Sequence, residues 1–229
     1  MALSSKAEKL KSILENRKGI IFDFDGLIVD SEPFHYRAYS EVFKKYGHTI
    51  DPDEYWVEFT SKGKGIAGEV ERYNLKLDVK PEDMRQEKFD IYSRFCKAGE
   101  IKMFPDARKL VELLKTRFSI AIASGSWGHD IRAILSHADA RQLFPIILGK
   151  ESSAREKPHP DIFLNAAEAM GCPPTSCVVL EDALKGLTAA KQAGMACIIV
   201  RNRLNQNIEF QGADLIVSGL GEIISLIEQ

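Results

Sequence analysis

From residue 100 onward the chain repeats one pattern: a short apolar run, then a segment whose apolar residues recur every three to four positions. Ala107, Leu110, Val111 and Leu114 share a helical face, and Ser119–Ala123 then reads as a strand ending at Ser124. Ile131, Ile134 and Leu135 mark the next helix and residues 145–148 the next strand. Phe163, Ala166, Ala167 and Met170 form a helix that Gly171 closes, before a strand over 177–180. Leu187, Ala190 and Gly194 suit a closely packed helix, and strands follow over Ala196–Val200 and 214–217. Runs this apolar have no solvent face, so they must be covered on both sides. The alternation predicts an α/β fold built on a Rossmann-like, doubly wound parallel sheet, with Gly19–Phe22 as its first strand.

Residues 34–100 break the alternation. Tyr39, Val42, Phe43 and Tyr46 form one helical face, and Met84, Ile91 and Phe95 another, opened by Pro81. No β-rich run separates them, so the stretch is expected to be a helical cap domain inserted after the first strand. The sheet domain then comprises residues 17–33 and 101–229, and residues 1–16 form an accessory amphipathic helix. The chain leaves the sheet at about Pro33 and returns near Phe104 and Pro105, so the insertion hinges beside the first strand's end and acts as a lid.

That end carries two acids, Asp23 and Asp25, followed by Gly26. A buried, unpaired carboxylate is costly, so two together imply a cation or a donor nearby. Three further strand ends are polar: Ser124; Lys157, in Glu-Lys-Pro-His-Pro-Asp; and the pair Glu181 and Asp182. Parallel strands bring these ends to one edge, where open α/β sheets bind ligands. Four carboxylates, a hydroxyl and an ammonium suit phosphoryl transfer, with Asp23 and Asp182 offering oxygens to Mg²⁺.

In order and spacing, Asp-Phe-Asp-Gly-Leu-Ile-Val-Asp-Ser-Glu-Pro, Ser124, Lys-Pro-His-Pro-Asp-Ile-Phe and Val-Leu-Glu-Asp-Ala-Leu-Lys-Gly resemble the four motifs of the haloacid dehalogenase-like superfamily. The resemblance runs from about residue 19 to 218 and is nearest to the branch of β-phosphoglucomutases and sugar-phosphate phosphatases. It implies that Asp23 is the nucleophile and a Mg²⁺ ligand. Asp25 becomes the general acid and base, its backbone carbonyl also meeting the metal. Ser124, Gly125 and Lys157 would bind phosphate, Asp182 would hold Mg²⁺, and Glu181 would support it. The second acid of the first motif argues against dehalogenation.

Phosphatase and mutase share all of these residues, so the cap must separate them. Without gaps, the mutases' cap arginine falls on Ile66, and the lysine after their second-motif serines falls on Trp127. Both departures favour a phosphatase over a mutase that grips a second phosphate. A non-catalytic phospho-acceptor is a further alternative, opposed by the cap and the paired aspartates. Candidate substrate contacts are His35, Lys62, Lys64, Ser126 and Trp127. The Lys62–Lys64 stretch reads either as a loop reaching the substrate or as a solvated turn, and Lys88 as a solvated helix lysine.

The expected substrate is a small phosphorylated metabolite. A net charge of −2 offers no field for nucleic acid, and no apolar stretch suits a membrane span. Four cysteines without a CxxC pair, and a charged N-terminus, point to a cytoplasmic protein; a monomer is expected.

Overall fold

The computed structural model describes residues 2–55, 58–59 and 63–229, with side chains described from residue 5. A helix, α1 (Ala2–Leu14), precedes the first strand, β1 (Gly19–Phe22). Among the described residues, the α-helices α2 (Glu32–Lys45), α3 (Pro52–Tyr55), α4 (Gly65–Arg72) and α5 (Pro81–Ala98) follow. Then come α6 (Pro105–Leu114), β2 (Ser119–Ala123), α7 (Gly128–His137), β3 (Ile146–Leu148) and α8 (Asp161–Ala169). The chain closes with β4 (Cys177–Glu181), α9 (Leu184–Gln192), β5 (Ala196–Val200), β6 (Leu215–Val217) and α10 (Leu220–Ile227).

The sheet has the order β3-β2-β1-β4-β5-β6, and every pairing is parallel. This is the α/β doubly wound fold that the alternation predicts. Side chains alternate across a strand, so each strand feeds two cores. Ile20, Phe22, Ile120, Ile122, Val178 and Leu180 pack under α1, α6, α7 and α10. Ile21, Ala121, Ala123, Val179 and Cys197 pack against α8 and α9. Each fully buried Leu, Ile or Phe contributes about 1.5–3 kcal/mol, so these two layers dominate stability. The N-terminal helix joins the first layer through Leu10 and Leu14, and the Lys6 ammonium lies 2.7 Å from Glu222.

Helices α2 to α5 leave β1 and return before β2. They bury a separate cluster around Val42, Phe43, Tyr55, Ile66 and Met84. The two crossing segments are stitched together: Val29 bridges Met103, the Phe104 amide donates to Ile28 O at 2.9 Å, and the Asp30 amide donates to Lys102 O at 2.9 Å. Strand order reverses direction at β1, with β2 on one side and β4 on the other. The crevice at such a switch point is where doubly wound sheets bind ligands, and Asp23 stands directly above it.

Candidate active site

Asp23 leaves β1 with its amide donating to Leu180 O of β4 at 3.0 Å, which fixes the strand end. Its Oδ1 accepts a 2.6 Å hydrogen bond from Lys157 Nζ. The same ammonium donates to Glu181 Oε1 at 2.7 Å and to Ala123 O at 3.0 Å. Lys157 thus ties the ends of β1, β2 and β4 together. Burial alone would discharge it, but Asp23 and Glu181 hold its pKa well above the usual value.

Glu181 faces inward as a brace. Its Oε2 accepts the amides of Asp182 and Ala183 at 2.9 and 3.0 Å, shaping the turn that presents Asp182. Gly186 on α9 makes room for it, since a Cβ there would lie 1.7 Å from Glu181 Oε1. Asp182 Oδ2 accepts a 2.7 Å bond from Asn202 Nδ2, which also reaches Gly26 O at 3.1 Å. A Cβ on Gly26, whose φ is +74°, would approach Asp182 Oδ2 to 2.5 Å. Two glycines of the motifs are therefore set by carboxylate clearance, and Gly26 by backbone conformation as well.

Oxygens of Asp23, Glu181 and Asp182 all lie within 4.8 Å of one another. Burial, followed by Glu181's charge, raises the pKa of both Asp23 and Asp182. These three acids with one ammonium lack two positive charges. The donors are hard carboxylate oxygens, so the residues fit a divalent cation such as Mg²⁺.

Asp25 is engaged elsewhere. Its Oδ1 accepts from Ser31 Oγ at 2.7 Å and Tyr92 OH at 3.1 Å, and lies 3.2 Å from His35 Nε2. Its Oδ2 accepts from Ser124 Oγ at 3.0 Å and Ser126 Oγ at 2.7 Å. Burial favours the neutral acid, but His35, Ser126 and Ser31 outweigh it and hold Asp25 well below the usual carboxylate range. His35 stacks on Tyr92 at 3.9 Å, and its Nδ1 meets Lys88 Nζ at 2.9 Å. A protonated lysine only donates, so Nδ1 accepts and the imidazole proton sits on Nε2, facing Asp25.

Lys88 corrects the sequence reading. It is 3% exposed rather than solvated, and burial lowers its pKa to about 8. Tyr39, Phe89 and Tyr92 supply ring faces 4.8–5.0 Å from its ammonium, which lowers the cost of burying the charge. A signal existed: Met84, Lys88, Tyr92 and Cys96 recur every four residues, and all are buried.

A pocket of about 170 Å³ gathers Asp23, Asp25, His35, Ser124, Gly125, Ser126, Lys157, Glu181 and Asp182 beneath Tyr39, Arg85, Lys88 and Phe89 of α2 and α5. Gly125 leaves open space where a Cβ would stand. Not every candidate converges there. Trp127 packs edge-on against Phe89, at 6.0 Å, and stacks on His129. Lys64 is largely exposed and 3.5 Å from Glu58. Ile66 is buried in the cap cluster. Lys62 lies outside the described residues.

The haloacid dehalogenase-like hydrolase profile matches residues 20–200, which span every strand end of this pocket. The chain belongs to that family of hydrolases. The fructose-1-phosphate phosphatase YqaB of Escherichia coli is 34% identical over 190 residues, covering 82% of this chain and 98% of that protein. SUPPRESSOR OF QUENCHING 1, a chloroplastic protein of Arabidopsis thaliana, is 33% identical over 209 residues; the match covers 89% of this chain but only 20% of that longer protein. Among solved structures, CbbY from Rhodobacter sphaeroides in complex with phosphate has a TM-score of 0.77 at 27% identity, over 93% of this chain and all of that one. Within the family frame, sequence reasoning missed four residues around the motif acids: Ser31, Lys88, Tyr92 and Asn202.

Proposed function

We propose that this haloacid dehalogenase-like hydrolase is a Mg²⁺-dependent phosphatase that hydrolyses a small phosphorylated metabolite, of the sugar or polyol phosphate kind, through an aspartyl-phosphate on Asp23. The observation that carries the reading is the charge balance at the sheet edge. Three carboxylates within 4.8 Å answer to one ammonium, beside a Ser124 hydroxyl that now donates to Asp25 at 3.0 Å and could turn to a phosphate oxygen. Asp23, Asp182 and the backbone carbonyl of Asp25 would hold Mg²⁺, which when bound neutralises charge on the phosphate.

Asp23 attacks phosphorus in line, forming an Oδ–P bond as the ester P–O bond breaks, and Asp25 gives its proton to the leaving alkoxide. Asp25 then takes a proton from water, whose oxygen attacks phosphorus and releases Asp23 and inorganic phosphate. At rest Asp25 is ionised, so it must first gain a proton. A phosphate seated at Ser124 and Gly125 takes the Ser124 hydroxyl from Asp25. That removes one of its donors, and a substrate entering as its monoanion supplies the proton that Asp25 passes to the leaving alkoxide. Lys157 stays charged throughout, lowering the repulsion between Asp23 and the incoming phosphate.

Helices α2 and α5 roof a pocket too small for a macromolecule, which supports the lid role of residues 34–100. The phosphatase reading is supported over a mutase by Ile66 and Trp127, both committed to packing. We take the enzyme to be a monomer. The four cysteines are free and buried, which supports a reducing compartment, and we place the enzyme in the cytoplasm. Among the described residues no helix is long and apolar enough to cross a membrane.

A screen of phosphorylated metabolites with and without Mg²⁺ tests the proposal. Mg²⁺-dependent phosphate release from at least one sugar or polyol phosphate is expected. Conversion of β-glucose 1-phosphate to glucose 6-phosphate without net release would replace this reading with the mutase.

A further inference from the structure

At the mouth of the pocket a carboxylate of the chain itself sits between two cations from different parts of the fold. Glu156, the residue before Lys157, accepts from Arg85 Nη2 of α5 with both oxygens, at 3.0 and 2.8 Å, and also pairs with Lys150, which follows β3. Both cations lean over the Phe89 ring, Arg85 at 5.4 Å and Lys150 at 5.3 Å from its centroid. Lys185, at the start of α9, lines the same pocket. Two cations from separate elements therefore hold this one carboxylate. Burial would raise the Glu156 pKa, but Lys150 and Arg85 hold it below the ordinary value.

We propose that Arg85 and Lys150 form a second anion subsite for a further phosphate on the substrate, and that the Glu156 carboxylate occupies this subsite until such a substrate displaces it. The inference rests on the phosphatase reading above. With Glu156 displaced, the two positive charges of Arg85 and Lys150 suit a phosphate dianion better than a single carboxylate. A guanidinium and an ammonium facing one oxygen pair already show the geometry that an oxyanion needs. The subsite is separate from positions 66 and 127, since Ile66 is buried in the cap and Trp127 packs on Phe89. Glu156 makes the selection graded: a monophosphate leaves the rim pair intact, whereas a bisphosphate must exchange one anion for another. Because Arg85 lies on α5 and Lys150 beside the sheet, a distal phosphate would also tie the roof to the floor of the pocket.

The test is competition against Mg²⁺-dependent hydrolysis of p-nitrophenyl phosphate, with fructose 1-phosphate and fructose 1,6-bisphosphate as competitors. The quantity read is the ratio of their inhibition constants in wild type, Glu156→Gln and the double variant Glu156→Gln/Arg85→Gln. Glu156 and Arg85 side chains are both 47% exposed, so the variants are expected to fold, and melting curves verify it. Glu156→Gln should shift the ratio toward the bisphosphate by about tenfold, and the double variant should return it to about the wild-type value. A shift below about threefold in Glu156→Gln, a shift that survives in the double variant, or no competition by the bisphosphate in Glu156→Gln overturns the subsite. Wild-type turnover of p-nitrophenyl phosphate reports the phosphatase reading separately: without it that reading fails, and with it a flat ratio removes the subsite alone.

Discussion

Asn202 lies 176 positions from Gly26 in sequence, yet its amide joins the Gly26 carbonyl to Asp182 Oδ2. Its own Oδ1 accepts the amides of Leu204 and Asn205, which fixes which end of the side chain faces Asp182. Asn205 in turn anchors the Asp182 carbonyl at 2.9 Å. Such supports typically carry 10–100-fold in metal affinity. Asn202→Leu should therefore weaken Mg²⁺ binding by about tenfold or more in titration calorimetry. An unchanged dissociation constant would remove Asn202 from the site. Lys88 carries a different prediction, on stability. Its pKa is about 8 in the folded protein against 10.5 unperturbed. Between those values the unfolded chain binds more protons, so stability rises with pH through this window, by at most about 3 kcal/mol. Lys88→Met should abolish that rise in urea unfolding curves taken at pH 8 and 10.5. Parallel pH profiles for variant and wild type would contradict the buried, proton-shedding lysine.

At the level of elements, the junction of β4 and α9 shows how tightly the site is built. Glu181 ends the strand, braces the turn and touches Gly186, so the first turn of α9 can pack against it only where a residue lacks a Cβ. Gly186→Ala forces the carboxylate or the helix to move and should cost about 1–3 kcal/mol, read as a lower melting temperature. A variant as stable as wild type would show that the junction has slack. The sheet elements were legible because short continuous apolar runs and period-3.6 patterns survive in a single sequence, as at Ile120–Ile122 and at Leu110, Val111 and Leu114. The motif acids were legible because polar residues that end apolar runs demand partners, as at Asp23 and Glu181. Lys88 was misread because periodicity was applied only to apolar residues. A charged side chain on the buried stripe of α5 is visible once Met84, Tyr92 and Cys96 are aligned with it. Asn202 and the rim pair of Arg85 and Glu156 had no local signal, since their partners are distant in sequence. Trp127 reads in the sequence as a candidate substrate contact, and its packing partner Phe89 comes from a helix that no sequence pattern docks there.

For the whole molecule, the central feature is a fold that concentrates negative charge at one sheet edge and encloses it beneath two helices. Asp23, Glu181 and Asp182 repel one another when no cation is bound, so the folded state should gain stability from one. Mg²⁺ at about 100 times its dissociation constant should add about 2.7 kcal/mol. Differential scanning fluorimetry should then show a melting temperature raised by Mg²⁺ and lowered again by EDTA. No shift with either would contradict a divalent site at these acids. On the proposed mechanism, the same enclosure would protect an acyl phosphate on Asp23 from bulk water until Asp25 activates one molecule. That covalent species is the claim on which the rest depends. Quenching turnover with borohydride reduces an aspartyl-phosphate to homoserine, and peptide mass spectrometry locates the change. The account predicts homoserine at position 23, formed only with Mg²⁺ and substrate and absent in Asp23→Asn. Substrate turning over while Asp23 remains unmodified in the quenched enzyme, with the label absent or on another residue, would contradict it.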